Sequence, residues 1–316
     1  MSNNSDAQGR AFEYICIRCL KEEISKVRPV RIVDNSNYQQ DKAVWEGLDL
    51  PQREVLTKEA LAAIPTIMDL EPMIEECEGD VLTLQLQSDR EGIVGDVRDI
   101  LLMRSEAEWV IGISVKHNHY AVKHSRLSSV LDFGKSWYGR PCSQEYWSDI
   151  EPIFRPLIEK RGKVAWRDME EKDSTVYVPL LRAFMKEVLK AYSQDDSVPT
   201  KMVEYLLGKY DFYKLIGVDS QHKTNLMVFN LRGTLNRASK TKRPKRDIPR
   251  SLLPSRIVSL EMKPNSTNTV ELYMDNGWQF NFRIHNASTM VEPSLKFDVS
   301  IIGMPTTIVT INCTWV

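Results

Sequence analysis

No apolar run in this sequence approaches the ~18 residues that a membrane-spanning helix requires. Its opening, Met1-Ser-Asn-Asn-Ser-Asp-Ala-Gln-Gly-Arg10, lacks the apolar stretch of a signal peptide. Cysteine is scarce. Cys16, Cys19, Cys77, Cys142 and Cys313 form no disulfide framework, which fits a reducing cytoplasm. No segment repeats, and neither sign of charge is in excess: 42 Lys and Arg against 43 Asp and Glu leave a net charge of −1. What is present is 42% apolar and 27% charged, as in a soluble globular protein. At 316 residues it is long enough for one large domain or two ordinary ones.

The balanced charge is sharply segregated. Nine Lys or Arg stand between Arg232 and Arg256 against one acid, Asp247. From Lys116 to Leu131 there is no acid, while three bases and three histidines occur. The compensating acids cluster elsewhere, notably in Asp69-Leu-Glu-Pro-Met-Ile-Glu-Glu-Cys-Glu-Gly-Asp80. A neutral chain of this kind can still present a phosphate-binding face, although a solvated basic linker is the plainer alternative.

Apolar residues recurring at three and four (Phe12, Ile15, Cys16, Cys19, Leu20, Ile24) predict a helix over 9–27, and a second helical stretch, broken by Pro65 and Pro72, covers 57–78. The period then changes. Residues 80–87, 98–104 and 109–115 read as three neighbouring strands. Helix returns over 145–215, most clearly at Val178–Tyr192, and strands follow one another from Arg256 onwards. The expected partition is a core with helical insertions over 1–238, a basic linker or arm over 239–255, and a β-rich subdomain over 256–316.

Hydrolysis of a phosphodiester calls for a hard divalent cation held by carboxylates, and for a positive side chain near the developing charge. Asp99 opens one expected strand and Lys116 closes the next, 17 residues later, so a tight antiparallel return would bring them together. An acid two residues before the lysine would complete a metal site, but that position is Ser114. Asp96 or Glu13 could supply the missing carboxylate, making Asp99, Asp96 and Glu13 the candidate ligands for Mg²⁺. A bare Asp/Lys spacing is common by chance. The acid-free run after Lys116 strengthens it, because His117, Asn118, His119, Lys123, His124 and Arg126 suit phosphate contacts around a scissile bond.

Several blocks resemble the HaeIII-type type II restriction endonucleases: Gly95-Asp-Val-Arg-Asp-Ile100, Ser114-Val-Lys-His-Asn-His119, Lys123-His-Ser-Arg-Leu-Ser128 and Asp132-Phe-Gly-Lys-Ser-Trp137. So do Asp275-Asn-Gly-Trp278, Arg283-Ile-His-Asn-Ala287 and Pro293-Ser-Leu-Lys-Phe-Asp298. The resemblance runs from Gln8-Gly-Arg-Ala-Phe-Glu13 nearly to the end. It implies an α/β (α+β) fold with a PD-(D/E)xK restriction-endonuclease-like core, a mixed sheet flanked by helices, and a β-rich C-terminal subdomain. It also implies Mg²⁺-dependent double-strand cleavage of DNA within GGCC, between the G and C halves, to blunt ends with 5′-phosphates. A cognate DNA methyltransferase would protect the host genome, and a palindromic target is compatible with a homodimer.

Other motifs carry less. His117-Asn118-His119 spells an HNH trio, but a true HNH site spreads its residues over tens of positions. Cys16 and Cys19 have zinc-ligand spacing without a second pair, so they read as core thiols. Asp132-Phe-Gly134 lacks every companion of a kinase site. On Trp278–His285, Trp278, Phe280, Phe282 and Ile284 would face a core, while Gln279, Asn281, Arg283 and His285 would project together towards base edges, Arg283 forking onto guanine. Lys240, Arg243 and Arg246 in the basic segment suit phosphates. The competing classes are a DNA-binding protein without nuclease activity, an HNH-like enzyme, and a repair or nicking nuclease.

Overall fold

The computed structural model describes residues 2–88, 95–118 and 123–315, with residues 2–6, 123 and 124 described by their backbone alone. The chain divides into two compact units: Met1–Tyr120 with Gly208–Ser251 and Thr306–Val316, and Ala121–Leu207 with Leu252–Pro305. Each unit is therefore assembled from separate stretches of chain, where the sequence suggested consecutive ones. Among the described residues no helix is long and apolar enough to cross a membrane.

The first unit begins with helix α1 (Ser2–Ser25), which buries Phe12, Cys16, Cys19, Leu20 and Ile24 as its period requires. Cys16 and Cys19 are free core thiols, and burial is the main cause of their raised pKa values. A short strand, β1 (Val30–Ile32), and helix α2 (Ser36–Glu46) follow. Helix α3 (Leu50–Leu70) starts at a capping box formed by Asp49 and Gln52, carries Pro65 within it, and is followed by the single turn α4 (Pro72–Glu75). Then come the three expected strands, β2 (Leu82–Leu86), β3 (Ile100–Arg104) and β4 (Trp109–His117), as an antiparallel meander.

Two further strands of this unit lie in the region read as helix and scattered core. These are β6 (Phe212–Val218), which runs parallel to β4, and β7 (Lys223–Phe229), antiparallel to β6. Every residue of β6 is buried, so its sequence has no alternation to reveal a strand. The last strand, β12 (Val309–Thr314), pairs with β7, giving a seven-stranded mixed sheet in the order β1-β2-β3-β4-β6-β7-β12. Ile111, Ile113 and Val115 of β4 share one core with residues of α1 and α3. By the two-residue period, Ser114 and Lys116 lie on the other face of the strand.

The basic segment does not stand away from the first unit. Lys240 bonds Glu78, Lys242 bonds Glu75, and Lys245 lies 2.7 Å from Asp69. The Asn236 amide ties the chain to Leu70 O at 2.9 Å and Arg246 O at 3.0 Å. Three acids of the stretch 69–80 thus pair with three lysines of the base-rich stretch.

In the second unit, β5 (Lys123–Ser128), β8 (Ile257–Met262), β9 (Thr269–Met274), β10 (Gln279–Asn286) and β11 (Ser294–Gly303) form an antiparallel sheet in the order β5-β11-β10-β9-β8. Its helices are α5 (Phe133–Tyr138), α6 (Gln144–Lys160), α7 (Val178–Gln194) and α8 (Val198–Leu207). Trp278, Phe280, Phe282 and Ile284 are fully buried, as the alternation of β10 predicts. Phe184 of α7 packs 5.6 Å from Phe282 and 5.1 Å from Phe297, ring centre to ring centre. Asp132 caps α5 by accepting from the Lys135 N–H, and Phe133 enters the aromatic core, a structural role for the Asp-Phe-Gly sequence.

Candidate active site

A short turn at Ser105–Ala107, with Glu108 in the left-handed region (φ 47°), returns the chain so that Trp109 pairs with Arg104. Residues far apart in the two strands then meet at the open end of the hairpin. The Asp99 N–H donates to Ile113 O at 2.8 Å, and its carbonyl accepts from the Gln87 N–H at 2.9 Å. The side chain continues the ladder. Asp99 Oδ2 accepts the Val115 N–H at 2.6 Å, the Ser114 hydroxyl at 3.1 Å and the Lys116 ammonium at 3.2 Å. Both charged side chains keep some exposure, 21% for Asp99 and 35% for Lys116.

A second lysine, which sequence reasoning missed, lies close to this pair. Lys214 on β6 stands in register with Ser114 on β4 and is 5% exposed. Burial and then the charge of Lys116 pull its pKa down to about 8, while Asp99 acts in the opposite sense. Lys214 is 98 residues beyond Lys116, and only the parallel pairing of β4 with β6 makes them neighbours.

The two expected additional carboxylates differ in setting. Asp96 is buried and gripped by Arg98 through two bonds of 2.7 Å, with the Gln87 amide at 3.1 Å. Burial would raise its pKa, but the Arg98 and Gln87 bonds outweigh this and hold it below the usual range. Its charge is committed to Arg98. Glu13 is half-buried on α1, and beside the dominant effect of burial, Glu59, Glu13 and Asp99 all help to raise the pKa of the Cys16 thiol. Glu13 and Asp99 are therefore both near Cys16.

The end of β4 holds another constellation. His117 Nδ1 lies 3.0 Å from Glu59 Oε2 on α3, and Nε2 lies 3.4 Å from Asp219 Oδ2, just beyond β6. One ligand atom from each of Glu59, His117 and Asp219 falls within 4.8 Å of the others, an arrangement that could hold a metal ion. Burial pushes Glu59 up to about 7, partly offset by His117 and reinforced by Asp219. For His117, burial favours the neutral ring, but Glu59 and Asp219 more than compensate and raise its pKa. Asn118 (φ 52°) bonds Asp219 Oδ2 at 3.0 Å. His117 and Asn118 thus face carboxylates, while His119 lies outside the described residues.

The remaining expected contacts fall on two surfaces. Strand β5, which contains Lys123, His124 and Arg126, pairs with β11, and β11 pairs with β10, so these positions share one sheet with Gln279, Asn281, Arg283 and His285. Arg283 Nη2 and His285 Nε2 reach the same Asp298 Oδ2, at 3.1 and 2.8 Å. Arg126 lies 3.4 Å from Glu292. In the basic segment Lys240 is paired with Glu78, while Arg243 and Arg246 are exposed.

Comparison with known proteins adds a different kind of observation. The sequence profile of a family described as HaeIII restriction endonuclease matches residues 9–305. The type II restriction enzyme HaeIII of Haemophilus aegyptius is 48% identical over 317 aligned positions, covering 100% of this chain and 99% of that protein. No solved structure matches.

Proposed function

The chain belongs to the HaeIII restriction endonuclease family and is a type II restriction enzyme; from that premise we propose that Asp99 and Lys116 form its hydrolytic centre, acting with Mg²⁺ on double-stranded DNA. The target is the palindrome GGCC, cut between its G and C halves to blunt ends with 5′-phosphates. The observation that carries this reading is the convergence of the Val115 N–H, the Ser114 hydroxyl and the Lys116 ammonium on one oxygen of Asp99.

The donor set fits a hard cation. Among the described residues these three donors go to Oδ2, so Oδ1 of Asp99 can serve a metal, and the second carboxylate would be Glu13 or Asp96, the latter already bonded by Arg98. A bound Mg²⁺ would polarise the scissile phosphate and favour ionisation of the attacking water. Lys116 places positive charge where charge develops on the pentacoordinate phosphorus, and the partly exposed pair keeps that charge accessible to DNA. Ser114 holds Asp99 in line instead of adding a ligand. Lys214 adds a second, poorly solvated cation beside them.

Recognition is assigned to the outward row of β10, with Arg283 reading guanine and Gln279, Asn281 and His285 beside it; β5 supplies Lys123, His124 and Arg126 to phosphates. A cognate methyltransferase, a cytoplasmic setting and a two-fold dimer on the palindrome complete the proposal. Supercoiled plasmid incubated with the chain and Mg²⁺ tests it. Discrete fragments with ends at GG/CC, lost on adding chelator, are expected. Mobility shifts without cutting would favour a DNA-binding protein, and relaxation without double-strand ends a nicking enzyme.

A further inference from the structure

We infer that Asp298 is a positioning residue for specificity: its carboxylate holds the Arg283 guanidinium in the orientation that reads guanine. The inference rests on the assignment of base reading to Arg283 and extends it to the residue that makes the reading selective.

Register places the side chains together. Arg283 on β10 is the direct antiparallel partner of Asp298 on β11, and His285 is that of Lys296. Directly opposed residues project from the same face of a sheet, as do residues two apart on one strand, so all four share the outward face. There Arg283 Nη2 lies 3.1 Å from Asp298 Oδ2, His285 Nε2 lies 2.8 Å from the same oxygen, and Lys296 Nζ lies 3.7 Å from Oδ1. Three bases thus converge on one carboxylate. His285 is anchored at its other nitrogen too, Nδ1 lying 2.8 Å from Asn286 O.

Exposure separates the holder from the held. The Arg283 side chain is 59% exposed and that of Asp298 only 19%. The acid is the covered member of the pair, and the guanidinium is the open one. Of its five N–H groups the bond to Asp298 uses one at Nη2, which leaves donors enough for guanine O6 and N7.

Stability and affinity do not account for an acid at this place. An exposed ion pair contributes little to folding. A negative charge on a DNA-facing surface opposes the phosphates. Orientation does account for it. A free arginine gives up rotamer freedom to set two donors on one base edge, and a carboxylate that already fixes the guanidinium plane removes part of that cost for the base that matches. Asp298 therefore lowers affinity for DNA in general and raises selectivity at one base pair.

The test is competition between a GGCC duplex and singly altered duplexes for the full chain, in chelator so that nothing is cut. Asp298→Ala should relax discrimination about fivefold or more at the same base pair that Arg283→Ala relaxes. It should bind a duplex without the site at least as tightly as the unaltered chain does. In the Arg283→Ala chain, adding Asp298→Ala should cost no further discrimination. Should Asp298→Ala melt markedly lower than the unaltered chain, Asp298→Asn, of nearly the same volume, takes its place, since a neutral acceptor holds the guanidinium more weakly. Unchanged discrimination in the variant read, or a loss that adds in full to that of Arg283→Ala, would overturn the inference; the second result would make Asp298 a base contact of its own. If Arg283→Ala itself leaves discrimination unchanged, the base-reading assignment has failed and the inference falls with it. If only the Asp298 variant does so, the inference alone has failed.

Discussion

The Lys116 ammonium lies 3.2 Å from Asp99 Oδ2, and the same oxygen accepts the Val115 N–H at 2.6 Å. The backbone bond ties the carboxylate to the strand that carries the lysine. Register, not side-chain length, therefore sets the distance between acid and cation.

Lys214 is a buried cation beside that pair. The residue is 5% exposed and its pKa is depressed to about 8, mainly by burial. Lys214→Met should raise folding stability by roughly 1–3 kcal/mol, read in urea at pH 7, and should slow DNA cleavage. A variant that is less stable, or equally active, would remove Lys214 from the centre.

Glu71 makes a pH prediction. It is fully buried, accepts from the Tyr213 hydroxyl at 2.6 Å and the Asn236 N–H at 2.7 Å, and burial raises its pKa from 4.5 to about 7. The folded state therefore holds a proton that the unfolded state releases. Stability from this group is complete below pH 4.5 and is lost as pH rises through about 7. Glu59 and His117, both raised, act in the same direction. Glu71→Gln should be close to neutral at pH 4.5 and stabilising at pH 8, by roughly 1–3 kcal/mol; destabilisation at both pH values would refute the assignment.

Arg283 shares Asp298 with His285 on the outward row of β10. Replacing it with Ala should lose roughly 1–3 kcal/mol of discrimination at one G·C pair, measured by competition between GGCC and singly altered duplexes. Uniform weakening on all duplexes would make it a phosphate contact.

The basic segment gives a contrast between neighbours. Lys240 and Arg243 are both exposed, but Lys240 is paired with Glu78. Arg243→Ala should reduce the slope of log affinity against log salt by nearly 1, and Lys240→Ala by clearly less. Equal effects would mean that DNA displaces the Lys240–Glu78 pair.

Local signals revealed more of this protein than long-range ones. The helix bearing Glu13 and the hairpin bearing Asp99 and Lys116 are legible because amphipathic periods and a short turn encode them within about thirty residues of chain each. Lys214 was hidden because β6 is buried along its whole length and reaches β4 through a distant parallel pairing. His117 looked like a phosphate contact in its cationic neighbourhood, yet Glu59, 58 residues earlier, turns its ring towards a carboxylate. The basic segment was visible as charge, and so was the acidic stretch 69–80; that they meet depends on the fold of the first unit. The return of β12 to β7 likewise has no local signature.

The central claim stands or falls on Asp99→Ala. A duplex with one GGCC site should be bound by this variant, without metal, about as tightly as by the unaltered chain, while cleavage with Mg²⁺ should fall by roughly a thousandfold or more, as loss of several kcal/mol of metal-assisted stabilisation requires. Cleavage by Asp99→Ala at a rate near that of the unaltered chain would contradict it.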